Sequence, residues 1–275
     1  MSRAAGGRGR QPPVLKKFGQ HFLTSPAILS AIVDALAPTK SDTVVEVGPG
    51  RGALTDILAQ RAGKVVAVEI DRMLVAQLRE KYGSTGNVEI VEGDFLESDV
   101  GMLAGEDFLL IGNVPYYITT PIVFKALEPP MPRRSVFLVQ REVAERMAAP
   151  AGDDEYGALS VNIAVVADVE QVLRVPATAF KPQPKVESAV VRLAPRAEAL
   201  TPLSSLPAFR TFVQAAFGQR RKQMVRVLRS VRGLSAERAT EVLIRAGIEP
   251  TDRPEVISPQ RFARLFELLS ADQGS

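Results

Sequence analysis

The stretch Gly-Asn-Val-Pro-Tyr-Tyr at residues 112–117 places an amide, a rigid proline and two aromatic rings directly after an apolar run. The apolar run, residues 108–113, is typical of a buried strand. Thr-Thr-Pro at residues 119–121 predicts that a helix follows, with threonine as its N-cap and proline in its first turn. Ligands of open α/β sheets bind at the carboxyl ends of the strands. The stretch is therefore a candidate for holding a flat, polar ligand.

These residue types suit methyl transfer to the exocyclic amine of a base. Such an amine is a poor nucleophile because its lone pair is delocalised into the ring. The side-chain oxygen of Asn113 and the backbone carbonyl of Val114 could hold the amine toward tetrahedral geometry and stabilise the developing charge. Pro115 would rigidify the turn, and Tyr116 could stack on the base. The alternative is a polar strand-to-helix turn with two aromatic residues that fill the core.

A glycine-rich turn follows the first predicted strand, residues 43–47, and opens a helix. Its glycines are Gly48, Gly50 and Gly52. Glycine permits a tight turn and lets a ligand approach the backbone closely. The spacing is G-x-G-x-G rather than the G-x-G-x-x-G of dinucleotide-binding folds, which weakens an NAD interpretation. A purely structural turn is the alternative.

Two acidic residues stand at the ends of the next two predicted strands. Glu69 ends the second strand and could accept both hydroxyls of a ribose. Asp94 in the sequence Glu-Gly-Asp-Phe ends the third and could accept an adenine amino group while the aromatic ring packs on the base. Taken in order, the three strand ends indicate an adenosine-containing cofactor without phosphate contacts. S-adenosylmethionine fits this pattern better than NAD.

The elements that must position these residues alternate between strand and helix along residues 26–193. Predicted strands are residues 43–47, 64–70, 87–93, 108–113, 135–140, 170–175 and 185–193, and predicted helices are residues 26–36, 53–62, 72–82, 121–127 and 141–149. Residues 156–169 are ambiguous. This alternation is typical of a doubly wound, mostly parallel sheet in an α/β fold.

The pattern changes near residue 200, and helical periodicity then predominates at residues 207–217, 220–231, 236–246 and 259–269. We therefore predict three parts of the chain: a disordered basic tail at residues 1–13, a cofactor-binding domain at 14–200 and a small helical domain at 201–275.

Composition narrows the function classes. The chain has 275 residues, no cysteine and a single histidine, His21. Disulfides, thiolate nucleophiles, zinc–cysteine sites and multi-histidine metal sites are thereby excluded. No apolar run is long enough to span a membrane, and no signal-peptide segment stands at the N-terminus. These features predict a soluble, cytoplasmic protein.

The net charge is only +3, but basic residues cluster in two acid-free blocks. One block lies in residues 1–20 and the other in residues 200–234, and they contain Arg3, Arg8, Arg10, Lys16, Lys17, Arg210, Arg220, Arg221, Lys222, Arg226, Arg229 and Arg232. Two such blocks favour a polyanionic partner, nucleic acid above all. A solvated helix face and a disordered tail are the alternative.

Several motifs together resemble the ribosomal RNA adenine N6,N6-dimethyltransferase family. They are Lys-Lys-Phe-Gly-Gln-His-Phe-Leu at residues 16–23, the glycine turn at 46–55, the strand ends at Glu69 and Asp94, the stretch at 112–121 and the segment at 179–193. The resemblance covers residues 14–270. It implies a seven-stranded methyltransferase sheet that binds S-adenosylmethionine.

The resemblance also implies roles for individual residues. His21 and Leu23 would lie near the methionine part of the cofactor, and Gly48 and Gly50 would approach it through the backbone. Glu69 would bind the ribose, Asp94 the adenine, and Asn113 both the cofactor and the target amine. Tyr116 and Phe180 would enclose the flipped base. The family usually has asparagine at the position of His21 and often at that of Tyr117, so this chain departs from the pattern at both. Because the position of Tyr117 varies within the family, no catalytic role is assigned to it.

The segment at residues 216–228 resembles the bacterial small-subunit members of the family. Its basic residues, Arg220, Arg221 and Lys222, are predicted to begin a helix that binds RNA phosphates. The implied substrate is small-subunit ribosomal RNA in an assembling subunit, and the implied product is N6,N6-dimethyladenine at two neighbouring adenines near its 3′ end. We expect a monomer. Two alternatives stay open, namely a macrolide-resistance type of methyltransferase acting on large-subunit RNA and a non-catalytic RNA-binding assembly or transcription factor.

Overall fold

The computed structural model describes residues 21–271. The strands of that range are β1 (Phe22–Leu23), β2 (Thr43–Val47), β3 (Lys64–Glu69), β4 (Val88–Glu92), β5 (Leu109–Asn113), β6 (Arg134–Gln140), β7 (Ala167–Val175), β8 (Phe180–Lys181) and β9 (Ser188–Pro195). Its α-helices are α1 (Pro26–Leu36), α2 (Ala53–Arg61), α3 (Arg72–Tyr82), α4 (Val100–Ala104), α5 (Thr119–Ala126), α6 (Arg141–Ala148), α7 (Ala158–Ala164), α8 (Leu206–Phe217), α9 (Met224–Arg232), α10 (Ala236–Arg245) and α11 (Pro259–Ala271). The predicted basic tail lies outside the described residues.

Seven strands form one mixed sheet in the order β4-β3-β2-β5-β6-β9-β7. The pairs among β4, β3, β2, β5 and β6 are parallel, and β9 runs antiparallel to both β6 and β7. The predicted doubly wound, mostly parallel seven-stranded sheet is confirmed. The remaining strands, β1 and β8, form a separate antiparallel pair.

Both faces of the sheet are buried, as the near-continuous Val, Leu and Ile content of its strands predicts. Because successive strand residues point to opposite faces, Val44 and Leu109 belong to the core beneath α1 and α2. Their neighbours Val45 and Leu110 belong to a second core on the other face, which also contains residues of α5, α6 and α7. The two cores hold the strand ends in register.

The ambiguous segment at residues 156–169 divides into a helix and a strand. Gly157 is the N-cap of α7, and its amide donates to the Ser160 hydroxyl at 3.1 Å. Strand β7 then begins at Ala167, three residues before the predicted start of the β-run. Among the described strands, β7 is an edge strand that pairs only with β9. The polar residues of β7 therefore remain exposed, and its apolar alternation is weak.

The helices after residue 201 are not packed separately from the sheet. Val139 of β6, Phe209 of α8 and Phe262 of α11 share one buried cluster. The Tyr156 hydroxyl also donates to the carbonyl of Ile257 at 2.7 Å. The predicted helical character of this region is confirmed, and the core continues across the predicted boundary at residue 200. Within residues 21–271, every helix is too short or too polar to cross a membrane.

Candidate active site

The carboxyl ends of β2, β3, β4 and β5 meet at one cavity of about 430 Å³. The ladder aligns Val47 with Val68 and Gly112, and Glu69 with Glu92, so these strands end side by side. The predicted site residues that line this cavity are His21, Leu23, Gly48, Gly50, Glu69, Asp94, Asn113, Pro115 and Tyr116. The topology thus brings together residues up to 95 positions apart in the chain.

The glycines of the turn after β2 differ in what surrounds them. Gly48 lines the cavity and has φ +66°. A Cβ built on it would point into open space. Gly52 has φ +80°, and its Cβ would collide with the hydroxyl of Tyr82 on α3. Gly48 therefore leaves room for a ligand beside the backbone, whereas Gly52 allows α2 to pack closely on α3.

Glu69 is buried at the end of β3 and is held by two backbone amides. Gly50 donates to its Oε2 at 3.0 Å, and Asp71 donates to its Oε1 at 3.0 Å. Burial raises the pKa of this carboxyl, and the amide hydrogen bonds oppose that rise. Each carboxylate oxygen can accept a second hydrogen bond. The carboxylate is thus fixed in place and can still accept two hydroxyl donors.

Asp94 follows β4 and shapes its own turn. Its Oδ1 accepts from the amide of Leu96 at 2.9 Å, which leaves acceptor capacity on the carboxylate. The next residue, Phe95, is buried and also lines the cavity. An acidic acceptor beside an apolar ring is the arrangement that the sequence predicted for binding an adenine.

Asn113 ends β5 and is anchored to the segment before α1. Its Nδ2 donates to the carbonyl of His21 at 3.2 Å. The side-chain oxygen accepts no hydrogen bond from residues 21–271, and so it is available as an acceptor at the cavity. The His21 ring is held in turn, since its Nδ1 lies 2.8 Å from the carbonyl oxygen of Pro182.

The turn after Asn113 differs from its prediction at one end. Residues Tyr116–Ile118 form a 3₁₀ turn that runs directly into α5. The helix begins at Thr119, so both threonines lie inside it and its N-cap is Ile118 instead of a threonine. The Pro115 carbonyl accepts from the Ile118 amide at 3.1 Å and from the Thr119 hydroxyl at 3.3 Å. These bonds hold the turn rigid below the cavity.

Tyr116 is held inside the site by its hydroxyl. The Tyr116 Oη lies 2.7 Å from the Oγ of Ser188, a buried residue of β9. Partial burial raises the pKa of this phenol, so the ring is neutral at physiological pH. The ring is therefore fixed at one edge and presents its face as a stacking surface.

Phe180 does not lie where the prediction placed it. Its side chain is only 2% exposed and belongs to the core beneath α1, and it is not among the residues that line the cavity. Strand pairing explains the difference, because Phe180 pairs with Leu23 in the β1–β8 ladder and its ring turns into the core. The ring that does lie against Tyr116 is that of His21.

The predicted RNA-binding residues are exposed, but they do not begin a helix. Arg220, Arg221 and Lys222 lie in the turn between α8 and α9, and α9 begins only at Met224. Arg220 is paired with Glu255 at 3.1 Å, and the ammonium of Lys222 donates to the Gln219 side chain at 2.9 Å. Arg221 makes no ion pair within residues 21–271.

Sequence reasoning missed two charged residues that line the cavity. Glu46, in β2, is 1% exposed, and its carboxylate accepts from the Thr55 hydroxyl at 2.6 Å. Burial raises its pKa to about 7. Arg51 lies in the glycine turn, and its guanidinium carbon is 4.4 Å from the centroid of the Phe22 ring, a cation–π contact. The available signal was an acid two residues before the first glycine and a base between the last two glycines. No cluster of three or more candidate metal ligands occurs in residues 21–271.

Comparisons with known proteins agree with this geometry. The family model described as ribosomal RNA adenine dimethylase matches residues 14–271. Proteins of Bacillus cereus (strain B4264) and Bacillus anthracis (strain A0248), both named ribosomal RNA small subunit methyltransferase A, are 40% identical to this chain over 92% of its length and 90% of theirs.

Two solved structures are also similar. The 23S rRNA methyltransferase ErmE is 31% identical, with a TM-score of 0.71, over 90% of this chain and 99% of that one. A dimethyladenosine transferase from Plasmodium falciparum is 25% identical, with a TM-score of 0.77, over 92% of this chain and 98% of that one.

Proposed function

Since this chain belongs to the ribosomal RNA adenine dimethylase family, we propose that it methylates N6 of two adjacent adenines near the 3′ end of small-subunit ribosomal RNA. The methyl groups come from S-adenosylmethionine, and each adenine becomes N6,N6-dimethyladenine late in subunit assembly. One observation carries the proposal: the Asn113 turn opens into the same cavity as Glu69 and Asp94.

The residues around the cavity fit S-adenosylmethionine. Glu69 would accept the ribose hydroxyls and Asp94 the adenine amino group, because both carboxylates retain acceptor capacity. The open space beside Gly48 would admit the rest of the cofactor next to the backbone. His21 and Leu23 would contact the methionine part. When bound, the cofactor supplies an electrophilic methyl group on a sulfonium.

The protein's own contribution is to prepare the amine. The oxygen of Asn113 and the carbonyl of Val114 accept hydrogen bonds from the exocyclic NH₂ and favour a tetrahedral nitrogen with a localised lone pair. Anchoring to the His21 carbonyl keeps the Asn113 oxygen oriented. Tyr116 supplies the stacking surface for the base. The proton leaves to water after transfer, so no dedicated general base is required.

Recognition of the RNA is assigned to the exposed turn between α8 and α9. Arg221 and Lys222 offer cationic groups to the phosphates and so position the substrate without reading its sequence. RNA helices are recognised mainly by shape and backbone, which favours an assembled subunit over naked RNA. The target base must leave its stack to enter the cavity.

Transfer of radiolabelled methyl groups to three acceptors tests the function. The acceptors are small subunits lacking the modification, their protein-free RNA, and protein-free large-subunit RNA. We expect N6,N6-dimethyladenine on the small subunits and at least a 100-fold loss of kcat in Asn113→Ala. The control is Asn87→Ala, because the Asn87 side chain donates to the carbonyls of Ala59 and Ala62 and does not line the cavity.

Each other outcome would select an alternative. Methylation of the large-subunit RNA alone would keep the chemistry and overturn the substrate. RNA binding without any methyl transfer would identify a binding factor.

A salt titration of RNA binding tests the role of the turn. Arg221→Ala should weaken binding uniformly and reduce the slope of log K against log salt concentration by about one. The control is Arg264→Ala, because Arg264 pairs with Glu267 at 2.8 Å within α11. Equal slopes in the two variants would show that Arg221 does not contact the RNA phosphates.

A further inference from the structure

Tyr117 is the one exposed aromatic residue in the described part of the chain. Its side chain is 62% exposed, whereas all other phenylalanine and tyrosine side chains of residues 21–271 are buried or half-buried. Aromatic side chains carry a large apolar area that folding ordinarily removes from water. The exposure of Tyr117 is therefore an exception within this protein.

The position of Tyr117 follows from the 3₁₀ turn after β5. Successive residues of such a turn are rotated by about 120°, so Tyr116 and Tyr117 cannot face the same way. Tyr116 is held inward by its contact with Ser188 at 2.7 Å. Tyr117 lines the same cavity and yet remains mostly exposed, which places it at the rim.

The size of the cavity limits what can enter it. Its volume of about 430 Å³ lies in the lower half of the range for small-molecule sites, roughly 300–1,000 Å³. A cofactor of nucleoside type and one base would together occupy a volume of this order. The nucleotide adjacent to the target base, which is joined to it by a single phosphate, must therefore lie outside the cavity, at its rim.

We propose that Tyr117 is the stacking platform for the base of the nucleotide adjacent to the target adenine. This inference rests on the proposed function and adds to it a second base subsite at the cavity rim. Stacking on an aromatic ring accepts any base, because every base has a π face. Tyr117 thus fixes the position of the RNA strand at the entrance while Tyr116 contacts the base inside.

Steady-state kinetics with small subunits lacking the modification test the role of the ring. We expect Tyr117→Ala to raise KM for subunits by about tenfold or more, and Tyr117→Phe to remain near wild type because the ring is kept. The melting temperature and the affinity for S-adenosylmethionine should not change. The control is Met102→Ala, because Met102 is 87% exposed on α4 and does not line the cavity.

A double-mutant cycle that combines Tyr117→Ala with abasic RNA isolates the contact between Tyr117 and the adjacent base. Subunits are reconstituted with RNA in which one of the two adjacent adenines is abasic, so that the other is the only acceptor. Wild-type KM should rise about tenfold for at least one of the two abasic substrates, whereas Tyr117→Ala should show no further rise. Equal sensitivity of the two proteins would overturn the inference.

The result for the unmodified substrate separates the two levels of the proposal. Methyl transfer by the wild type with an unchanged KM in Tyr117→Ala would overturn the stacking platform alone. An absence of transfer by the wild type would overturn the proposed function, and the platform with it.

Discussion

The imidazole of His21 stacks on the phenol ring of Tyr116, with ring centroids 5.8 Å apart and an angle of 24° between the planes. The backbone of the same residue accepts the hydrogen bond from Asn113. His21 therefore contacts both of the residues that are proposed to hold the target base. Its ring covers part of the surface on which that base would stack, whereas its carbonyl orients the amide.

Replacement of His21 by asparagine separates these two contacts. Because the bond to Asn113 comes from the backbone, His21→Asn should keep kcat within about threefold of wild type, whereas Asn113→Ala should lose at least 100-fold. Methyl transfer under saturating cofactor measures both. A loss in His21→Asn as large as that in Asn113→Ala would show that the imidazole itself is part of the reacting site.

Glu69→Gln should weaken the binding of S-adenosylmethionine by about 10- to 100-fold. The amide nitrogen of glutamine cannot accept a hydrogen bond, so one of the contacts from Gly50 and Asp71 is lost together with an acceptor for the ribose. Isothermal titration calorimetry measures the change. Glu89→Gln is the control, because Glu89 is exposed and pairs with Lys64 at 2.9 Å, and it should bind the cofactor like wild type.

Glu46→Gln should change how stability depends on pH. The folded pKa of Glu46 is about 7, above the ordinary value of 4.5, so between these pH values unfolding releases a proton. Wild-type stability from this group is thus fully present below pH 4.5 and is lost as pH rises to about 7.

The free energy of unfolding of the glutamine variant, relative to that of the wild type, should therefore rise by about 3 kcal/mol between pH 4.5 and pH 8. Urea unfolding across this range measures the difference. A difference between the two proteins that does not vary with pH would contradict the assignment.

Gly52→Ala should destabilise the protein far more than a glycine substitution with the same backbone conformation. Both Gly52 and Gly233 have positive φ, so alanine at either position costs about 1–2 kcal/mol. At Gly52 the new methyl also collides with the buried Tyr82 hydroxyl, which donates to the Gly52 carbonyl at 2.9 Å. Gly233 has open space instead. Thermal unfolding of the two variants compares them, and equal losses would argue against close packing of α2 on α3.

Asn162→Ala should stabilise the fold by about 1 kcal/mol. Asn162 is 1% exposed on α7, and neither polar atom of its amide has a hydrogen-bond partner among residues 21–271. An unsatisfied buried polar group costs about 1–3 kcal/mol, and we expect this cost, summed over two atoms, to exceed the packing lost on truncation. The same substitution at Asn87 removes two satisfied bonds and should destabilise. Chemical denaturation of both variants tests the opposite signs.

The sheet and the cavity could be predicted because their signals are local. Apolar strands of five to seven residues, each ending in a glycine, an acid or an amide, place Gly48, Glu69, Asp94 and Asn113 at one edge once the strands are parallel. Alternation of strand and helix supplies that parallel order. These predictions required no knowledge of distant contacts.

The errors arose where distant contacts decide the local structure. The run of basic residues at 220–222 has good helix propensity, yet α9 begins at Met224, whose amide donates to the Asp252 carbonyl at 2.7 Å. The Val225 amide donates to Pro250. The burial of Phe180 likewise depends on its pairing with Leu23. Propensity and periodicity within a short window contain no information about such partners.

The β1–β8 pair has a consequence for a growing chain. It joins Phe22 and Leu23, which line the cavity, to Lys181 and Phe180, which do not, so one wall of the cavity is held by a segment more than 150 residues later in the sequence. A ribosome that has made only the first five parallel strands has already made every residue that lines the cavity, but not the strand that pairs with Phe22 and Leu23. The nascent protein can therefore form the parallel part of the sheet before this wall of the binding site is held in place.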